Sequence, residues 1–345
     1  IPSFTAANGK VYQWVAPINN IPQGNFEPVS LLIAPKKQQL ATIKTEYKFS
    51  NNTQAILETG FSKWDINTFS SKDKKNDLGS ALKLTVSDHR NIAFNHKKLE
   101  LTSTVGYEYV DEKFKPLERL RPVEFLRDWG LPFDLASIAT ERLPTASFQL
   151  KDTLGNTFIY DYKGYIRSDG YKAHKQTINS NYQHKGWQLT DQIVYTSIRN
   201  NRLSGYLFRP SIQINKVLPK MDHYNIGVSF ALDQTQLRYK QFDTLSLTSY
   251  SFNDWTAFIK SNQQKNNRWS FTYISRINRL PVKNAFVTAD QSHNFSALLE
   301  LLKNTHHQFR LNATYRTLQI KTPTVTTQKP ENNLLGRAEY IINIF

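Results

Sequence analysis

Apolar residues recur at every second position through most of the chain. In residues 224–232, Tyr224, Ile226, Val228, Phe230 and Leu232 alternate with Asn225, Gly227, Ser229 and Ala231. Residues 309–316 repeat the arrangement, with Phe309, Leu311, Ala313 and Tyr315 set against Arg310, Asn312, Thr314 and Arg316. A period of two belongs to an extended strand, whose side chains point alternately to the two faces of a sheet. Each such segment is therefore predicted to be a strand with one apolar and one polar face. Residues 334–345 continue the pattern: Leu334, Gly336, Ala338, Tyr340, Ile342 and Ile344 form an apolar or small face, while Leu335, Arg337, Glu339, Ile341, Asn343 and Phe345 make the other face mixed.

The same reading organises the rest. Residues 1–38 are punctuated by Pro2, Pro17, Pro22, Pro28 and Pro35, which predicts an irregular lead-in anchored by Tyr12, Trp14 and Phe26. Residues 39–111 read as hairpins: Ala41, Ile43, Thr45, Tyr47 and Phe49 alternate, Asn51, Asn52 and Thr53 turn the chain, and residues 56–62 return. Residues 146–345 read as a long antiparallel meander, with turn cues at Leu154-Gly155-Asn156, Ser168-Asp169-Gly170 and Arg199-Asn200-Asn201. The expected total is roughly 14–16 strands.

One stretch breaks the rhythm. Residues 112–145 carry two short helical patterns: Pro122 at a first helical position followed by residues 123–129 and Gly130 as a stop, then Asp134 as a cap for turns reaching Arg142 before Pro144. A connection this long is expected to fold on something, which makes Phe125, Leu126 and Trp129 candidate plug or docking residues; a boundary between two β units is the other reading.

Composition narrows the chemistry. The 345 residues include 17 Tyr and 21 Phe but no Cys, so disulfides, thiolate nucleophiles and cysteine-based zinc sites are excluded. No G-x-S-x-G, phosphate-loop, dinucleotide or H-E-x-x-H motif occurs, and the eight His are scattered. No catalytic residue, metal or cofactor is expected. Asp65, Asn67, Asp73, Asn76 and Asp77 offer oxygen donors of the kind calcium uses, but Lys72, Lys74 and Lys75 stand among them, and a solvated loop is the expectation. A net charge of +16 implies an anionic neighbour. Because Lys and Arg are spread over the whole chain, nucleic acid is not the expected partner.

A sheet with one apolar face must cover it with a second sheet, with helices or with lipid. The predicted helices are too few. The aromatic-ended strands, the alternation of short turns with longer polar loops, and the stretches SKWDINTFSSKDKKNDLGSALKL and QKPENNLLGRAEYIINIF resemble outer-membrane β-barrel proteins of Gram-negative bacteria of the Bacteroidetes type. The resemblance covers most of residues 39–345 and is one of texture, so no site residue is carried over. It implies a transmembrane β-barrel, complete or part of a larger one, in the bacterial outer membrane, with a non-enzymatic role in transport or in a secretion or assembly complex. Its implied partners are outer-membrane lipid, lipopolysaccharide and other outer-membrane or surface proteins.

On that reading Tyr224, Ile226, Val228, Phe230, Leu232, Phe309, Leu311, Tyr315, Tyr340, Ile342 and Ile344 face lipid, while Arg310, Asn312, Arg316, Arg337 and Glu339 face a wet lumen. Proteins of that kind end on an aromatic residue; Phe345 is out of phase with the apolar stripe, so both ends are expected to belong to a longer polypeptide. Three features point the other way: only 13 Gly, the strongly positive charge, and Asp191 in the apolar alternation of Trp187, Leu189, Ile193 and Tyr195. The alternative is a soluble segment of a giant surface or periplasmic β protein, a sandwich or solenoid that binds partners or glycans. An enzyme acting on carbohydrate is the third reading, and no carboxylate pair identifies it.

Overall fold

The computed structural model describes residues 2–3, 11–24, 33–72, 74, 77–94, 97–131, 138–302 and 307–342. Two short strands, β1 (Pro2–Ser3) and β2 (Val11–Tyr12), pair with each other. Fifteen more form one sheet: β3 (Lys37–Lys48), β4 (Thr53–Asp65), β5 (Leu78–Phe94), β6 (Lys97–Val110), β7 (Glu141–Asp152), β8 (Thr157–Arg167), β9 (Lys172–His184), β10 (Trp187–Arg199), β11 (Leu203–Leu218), β12 (Tyr224–Tyr239), β13 (Tyr250–Lys260), β14 (Arg268–Val282), β15 (Ala285–Leu302), β16 (His307–Ile320) and β17 (Glu331–Ile342). They stand side by side in chain order, every neighbouring pair antiparallel. The protein is the all-β meander its periodicity predicts. Among the described residues the sheet is not closed: β3 and β17 each have a single neighbour.

Register shows why the strands sit as they do. One row across β10 to β17 reads Leu189, Ile214, Val228, Ala257, Tyr273, Phe295, Tyr315 and Leu334, each directly opposite the next. The row one residue away reads Thr190, Gln213, Ser229, Thr256, Ile274, Asn294, Arg316 and Asn333. A slip of one residue in any strand would exchange these sets, so the two-residue period fixes the pairing. Across β3 to β8 the apolar face continues as Tyr47, Ala55, Val86, Val105, Ala146 and Tyr162.

The two rims differ. At one, consecutive strands are joined by residues 49–52, 95–96, 153–156, 185–186, 219–223, 261–267 and 303–306, all short. At the other, residues 66–77, 111–140, 240–249 and 321–330 make longer connections, interleaved with short ones at 168–171, 200–202 and 283–284. Lys185 and Gly186 form a two-residue turn with φ of 45° and 82°, the left-handed geometry that matches strand twist. A side chain at Gly186 would also meet the Val217 carbonyl at 2.6 Å.

The buried core lies on the polar face, near the longer-connection rim, where residues 112–131 fold against the sheet. Helix α1 (Phe125–Asp128) is a single turn, ended by Gly130 in the left-handed region with φ of 64°. The second helical pattern is corrected. Its cap, Asp134, lies outside the described residues, but Glu141 and Arg142 open β7 and Pro144 sits inside that strand opposite Tyr107. Cross-strand pairing with β6 outweighs the local helix signals. Pro144 has no N–H to give β8, and the β7–β8 register skips residues 143 and 144.

Residues 113–114 approach β5 so closely that a Cβ on Gly79 would fall 2.2 Å from the Phe114 nitrogen. Replacing Gly79 by Val forces the segment away from the sheet; the expected loss is about 1–3 kcal/mol, read as a lower denaturation midpoint.

Candidate functional site

The inserted segment is fastened to both ends of a curved stretch of sheet. Its first part docks on β3 and β4: the Lys115 N–H donates to Ser62 Oγ at 2.9 Å, and Gln38 Nε2 donates to the Lys115 carbonyl at 2.9 Å. Its second part docks on β7 to β12, where Trp129, Leu131, Phe125 and Leu126 pack on Leu143, Tyr165, Tyr171, Ala173, Ile198, Leu207 and Leu237. Burying an aromatic or large aliphatic side chain contributes roughly 1.5–3 kcal/mol, so this cluster is the main hold on the segment. The rings of Phe125 and Tyr165 meet edge to face with centroids 5.1 Å apart, and Lys175 Nζ lies 4.9 Å from the centroid of Trp129.

Charge reinforces the contact. Arg121 reaches Glu108 at 2.6 Å and Glu141 at 2.7 Å, linking the segment to β6 and β7. Burial works against the Arg121 charge, yet the two carboxylates outweigh it and hold its pKa above the ordinary value. Glu141 also accepts from Tyr165 Oη at 2.6 Å and lies 3.7 Å from Arg167, whose side chain is only 4% exposed. Removing one partner of a buried pair costs about 3–5 kcal/mol, so Glu141 is the keystone of the polar contact. Tyr171 Oη donates to the Trp129 carbonyl, and burial pushes its hydroxyl pKa up. Beside the segment lies an open cavity of about 790 Å³, lined among others by Lys115, Arg119, Arg121, Arg167, Arg209 and Glu141.

Farther from the segment the same face is polar and self-paired. Arg209 meets Asp233 at 2.9 Å across β11 and β12, and Arg276 holds Asp254 through two bonds of 2.6 and 2.7 Å across β13 and β14. Arg268, Glu300, Arg310, Glu339 and Arg337 form a chain of ion pairs over β14 to β17. Arg310, Asn312, Arg316, Arg337 and Glu339 all lie on this face, which is the one the segment covers.

Tyr224, Ile226, Val228, Phe230, Leu232, Phe309, Leu311, Tyr315, Tyr340 and Ile342 share the opposite face, and Ile344 lies outside the described residues. Nothing among the described residues covers this face: Val228 is 53% exposed, Phe271 55% and Phe295 50%. A typical monomer leaves no such contiguous apolar surface bare. Toward the longer-connection rim the same face becomes polar, with His174, Gln176, Gln234, Gln236 and His293. Tyrosines mark the change and hydrogen-bond across it: Tyr162 with His174 at 2.8 Å, Tyr206 with Gln236 at 3.0 Å, Tyr273 with His293 at 2.7 Å. Near the shorter-connection rim Trp187, Tyr224, Trp269 and Tyr340 close the apolar band, Tyr340 beside His307 at 2.7 Å. Asp191 lies on the apolar face and accepts from Ser180 Oγ at 3.3 Å.

The loop with oxygen donors supplies its own cation, because Lys74 Nζ pairs with Asp65. Asp73 and Asn76 lie outside the described residues, among which no cluster of three metal-ligating side chains occurs. Sequence reasoning missed Glu141, Tyr165, Arg167 and Tyr171. Their trace was the pattern Tyr165-x-Arg167-x-Asp169-Gly170-Tyr171, which sets polar and aromatic residues on one face beside a turn. Comparison of the chain with protein-family models, curated proteins and solved structures returns no match.

Tyr171→Phe removes the donor to the Trp129 carbonyl and is expected to weaken docking of the segment by about 1–3 kcal/mol, measured as faster proteolysis within residues 112–131. The Tyr171 pKa is raised in the folded state, so its contribution is complete below the ordinary value of 10.0 and is lost as pH rises above it. The wild-type segment should loosen above about pH 10, and the Phe variant should show less of that dependence.

Proposed function

We propose that the chain is an outer-membrane β-barrel protein, or the greater part of one, whose curved sheet meets lipid with its apolar face and water with its polar face. The observation that carries this reading is the bare apolar band bordered on both sides by aromatic residues, opposite a polar face closed by residues 112–131. From Trp187 to Tyr195 the band runs about 26 Å along β10 at ~3.3 Å per residue, or about 20 Å in height for a strand tilted near 40°, close to the ~25 Å apolar belt of such barrels. The four longest connections, 66–77, 111–140, 240–249 and 321–330, all fall at one rim, as the longer loops of such barrels do at the extracellular end, although 168–171, 200–202 and 283–284 at the same rim are short.

In this reading the protein does no bond chemistry. The self-paired arginines and carboxylates line a wet interior, residues 112–131 plug it, and the role is transport or membership of an outer-membrane secretion or assembly complex. Lipid, lipopolysaccharide and neighbouring outer-membrane proteins are its proposed partners, the net charge of +16 suiting lipopolysaccharide phosphates. Asp191 favours the alternative of a soluble β protein that binds partners or glycans, since hydrocarbon penalises a carboxylate there.

Two adjacent substitutions on β12 separate the readings. Val228→Arg puts a charge in the band and is expected to cost roughly 2–4 kcal/mol of folded stability in lipid. Ser229→Arg, one residue on and facing the polar side, should be tolerated. Equal tolerance of both, with full solubility in detergent-free buffer, would remove the membrane reading.

A further inference from the structure

On the apolar side of β7 to β12 the side chains change in tiers from rim to band. At the longer-connection rim one row of directly opposed residues reads Arg142, Ile166, Lys172, Arg199, Ser204 and Arg238. The next row on that face, about 7 Å nearer the band, reads Gly164, His174, Ser197, Tyr206 and Gln236. Below it come Tyr162, Gln176, Tyr195, Phe208 and Gln234, and then Tyr160, Ile178, Ile193 and Pro210. At the other rim the outermost residues of the same strands on this face are Asp152, Phe158, His184, Trp187, Leu218 and Tyr224. The cation beside them, Lys216, lies over the Trp187 ring, 5.0 Å from its centroid. Positive charge on these strands is thus gathered at one end of the apolar side.

That charge is not satisfied within the chain. Lys172 and Arg199 stand directly opposite each other, an arrangement in which like charges repel. Both are exposed, as is Arg142, and among the described residues no carboxylate pairs with any of the three. Arg238 reaches only Asp243, at 3.7 Å, on a side chain 86% exposed. Asp169, in the connection beside Lys172, is held at 2.7 Å by Arg167, which points to the polar face. The polar face, by contrast, meets Arg209, Arg268, Arg276 and Arg310 with carboxylates of its own.

We infer that this row is a binding site for the phosphate of a phosphorylated glycolipid of the lipopolysaccharide type. The phosphate sits between Lys172 and Arg199, with Arg142 and Arg238 to either side. Sugar hydroxyls meet His174, Ser197 and Gln236, and the acyl chains run down the band past Tyr195 and Phe208. An anion between the two central cations turns their repulsion into attraction and gives the phosphate oxygens charge-assisted donors. A glycolipid fits better than a glycerophospholipid because a whole tier of imidazole, hydroxyl and amide groups separates the cations from the aromatic tier, room that a sugar headgroup fills. The inference rests on the membrane reading and deepens it: the lipid partner gains a place on the wall, and the longer-connection rim is set in the leaflet that carries glycolipid.

The test uses the full-length polypeptide, delipidated in detergent and titrated with lipid A, with phosphatase-treated lipid A, with phosphatidylglycerol and with inorganic phosphate, bound lipid being read by native mass spectrometry. Lys172→Gln with Arg199→Gln should weaken lipid A binding by about tenfold or more, each single change less, and Lys216→Gln at the other rim should leave it unchanged. Phosphatase-treated lipid A should bind the wild-type protein as poorly as intact lipid A binds the double variant. Without lipid, the double variant should unfold at the same temperature as the wild type or higher, because a repulsion has been removed; a lower temperature assigns the pair a structural role and overturns the inference. Equal binding by wild type and variants overturns it, as does equal binding of the two forms of lipid A. Phosphatidylglycerol bound as tightly as lipid A overturns the choice of glycolipid, and displacement by millimolar inorganic phosphate overturns it in favour of a free-anion site. A protein soluble without detergent that still binds lipid A through this row defeats the membrane reading alone; a detergent-dependent protein whose variants bind like the wild type defeats this inference alone.

Discussion

A sheet whose two faces differ in polarity has to be placed between two different surroundings, and every other feature of this chain answers to that demand. Backbone pairing makes the sheet, but the two-residue alternation decides which side chains look which way. Shifting Val228 to the side of Ser229 would exchange an aliphatic group for a hydroxyl on both faces at once. The meander is therefore held in register strand by strand, without a thick core.

What packing there is gathers around residues 112–131. Trp129 and Leu131 bury themselves among strands that elsewhere carry Thr, Asn and Gln on the same face. The polar face thus has two regimes: an apolar knot under the segment, and a field of amides, hydroxyls and mutual ion pairs beyond it. Arg121 and Glu141 sit at the boundary, where the carboxylate serves two guanidiniums and a phenol together.

Much of the fold was legible because period two is a strong signal over nine or more residues. The alternations in residues 224–232, 309–316 and 334–342 all lie in strands, and the turn cues at Gly155, Gly170 and Asn200 all separate strands. Local cues failed where pairing overrode them. Asp134 and Pro144 resemble helix punctuation, yet residues from Glu141 onward answer to β6, which they meet across a connection invisible to local reading. The same limit hid Glu141 as a partner of Arg121 and Arg167, since residues 20 and 26 positions away come together only through register. Phe125, Leu126 and Trp129 were visible because their spacing gathers apolar mass beside a glycine stop.

Val110 and Glu141, which bracket the inserted segment, are themselves directly opposite each other in neighbouring strands. Both of its ends are thus rooted at a single hairpin mouth, while its docking contacts lie strands away on β4 and on β12. An element tethered in this manner behaves as a flap hung from one jamb. If the proposed barrel holds, clearing its bore would swing the segment on that hinge and leave the wall of strands uncut, whereas a cork would have to depart altogether.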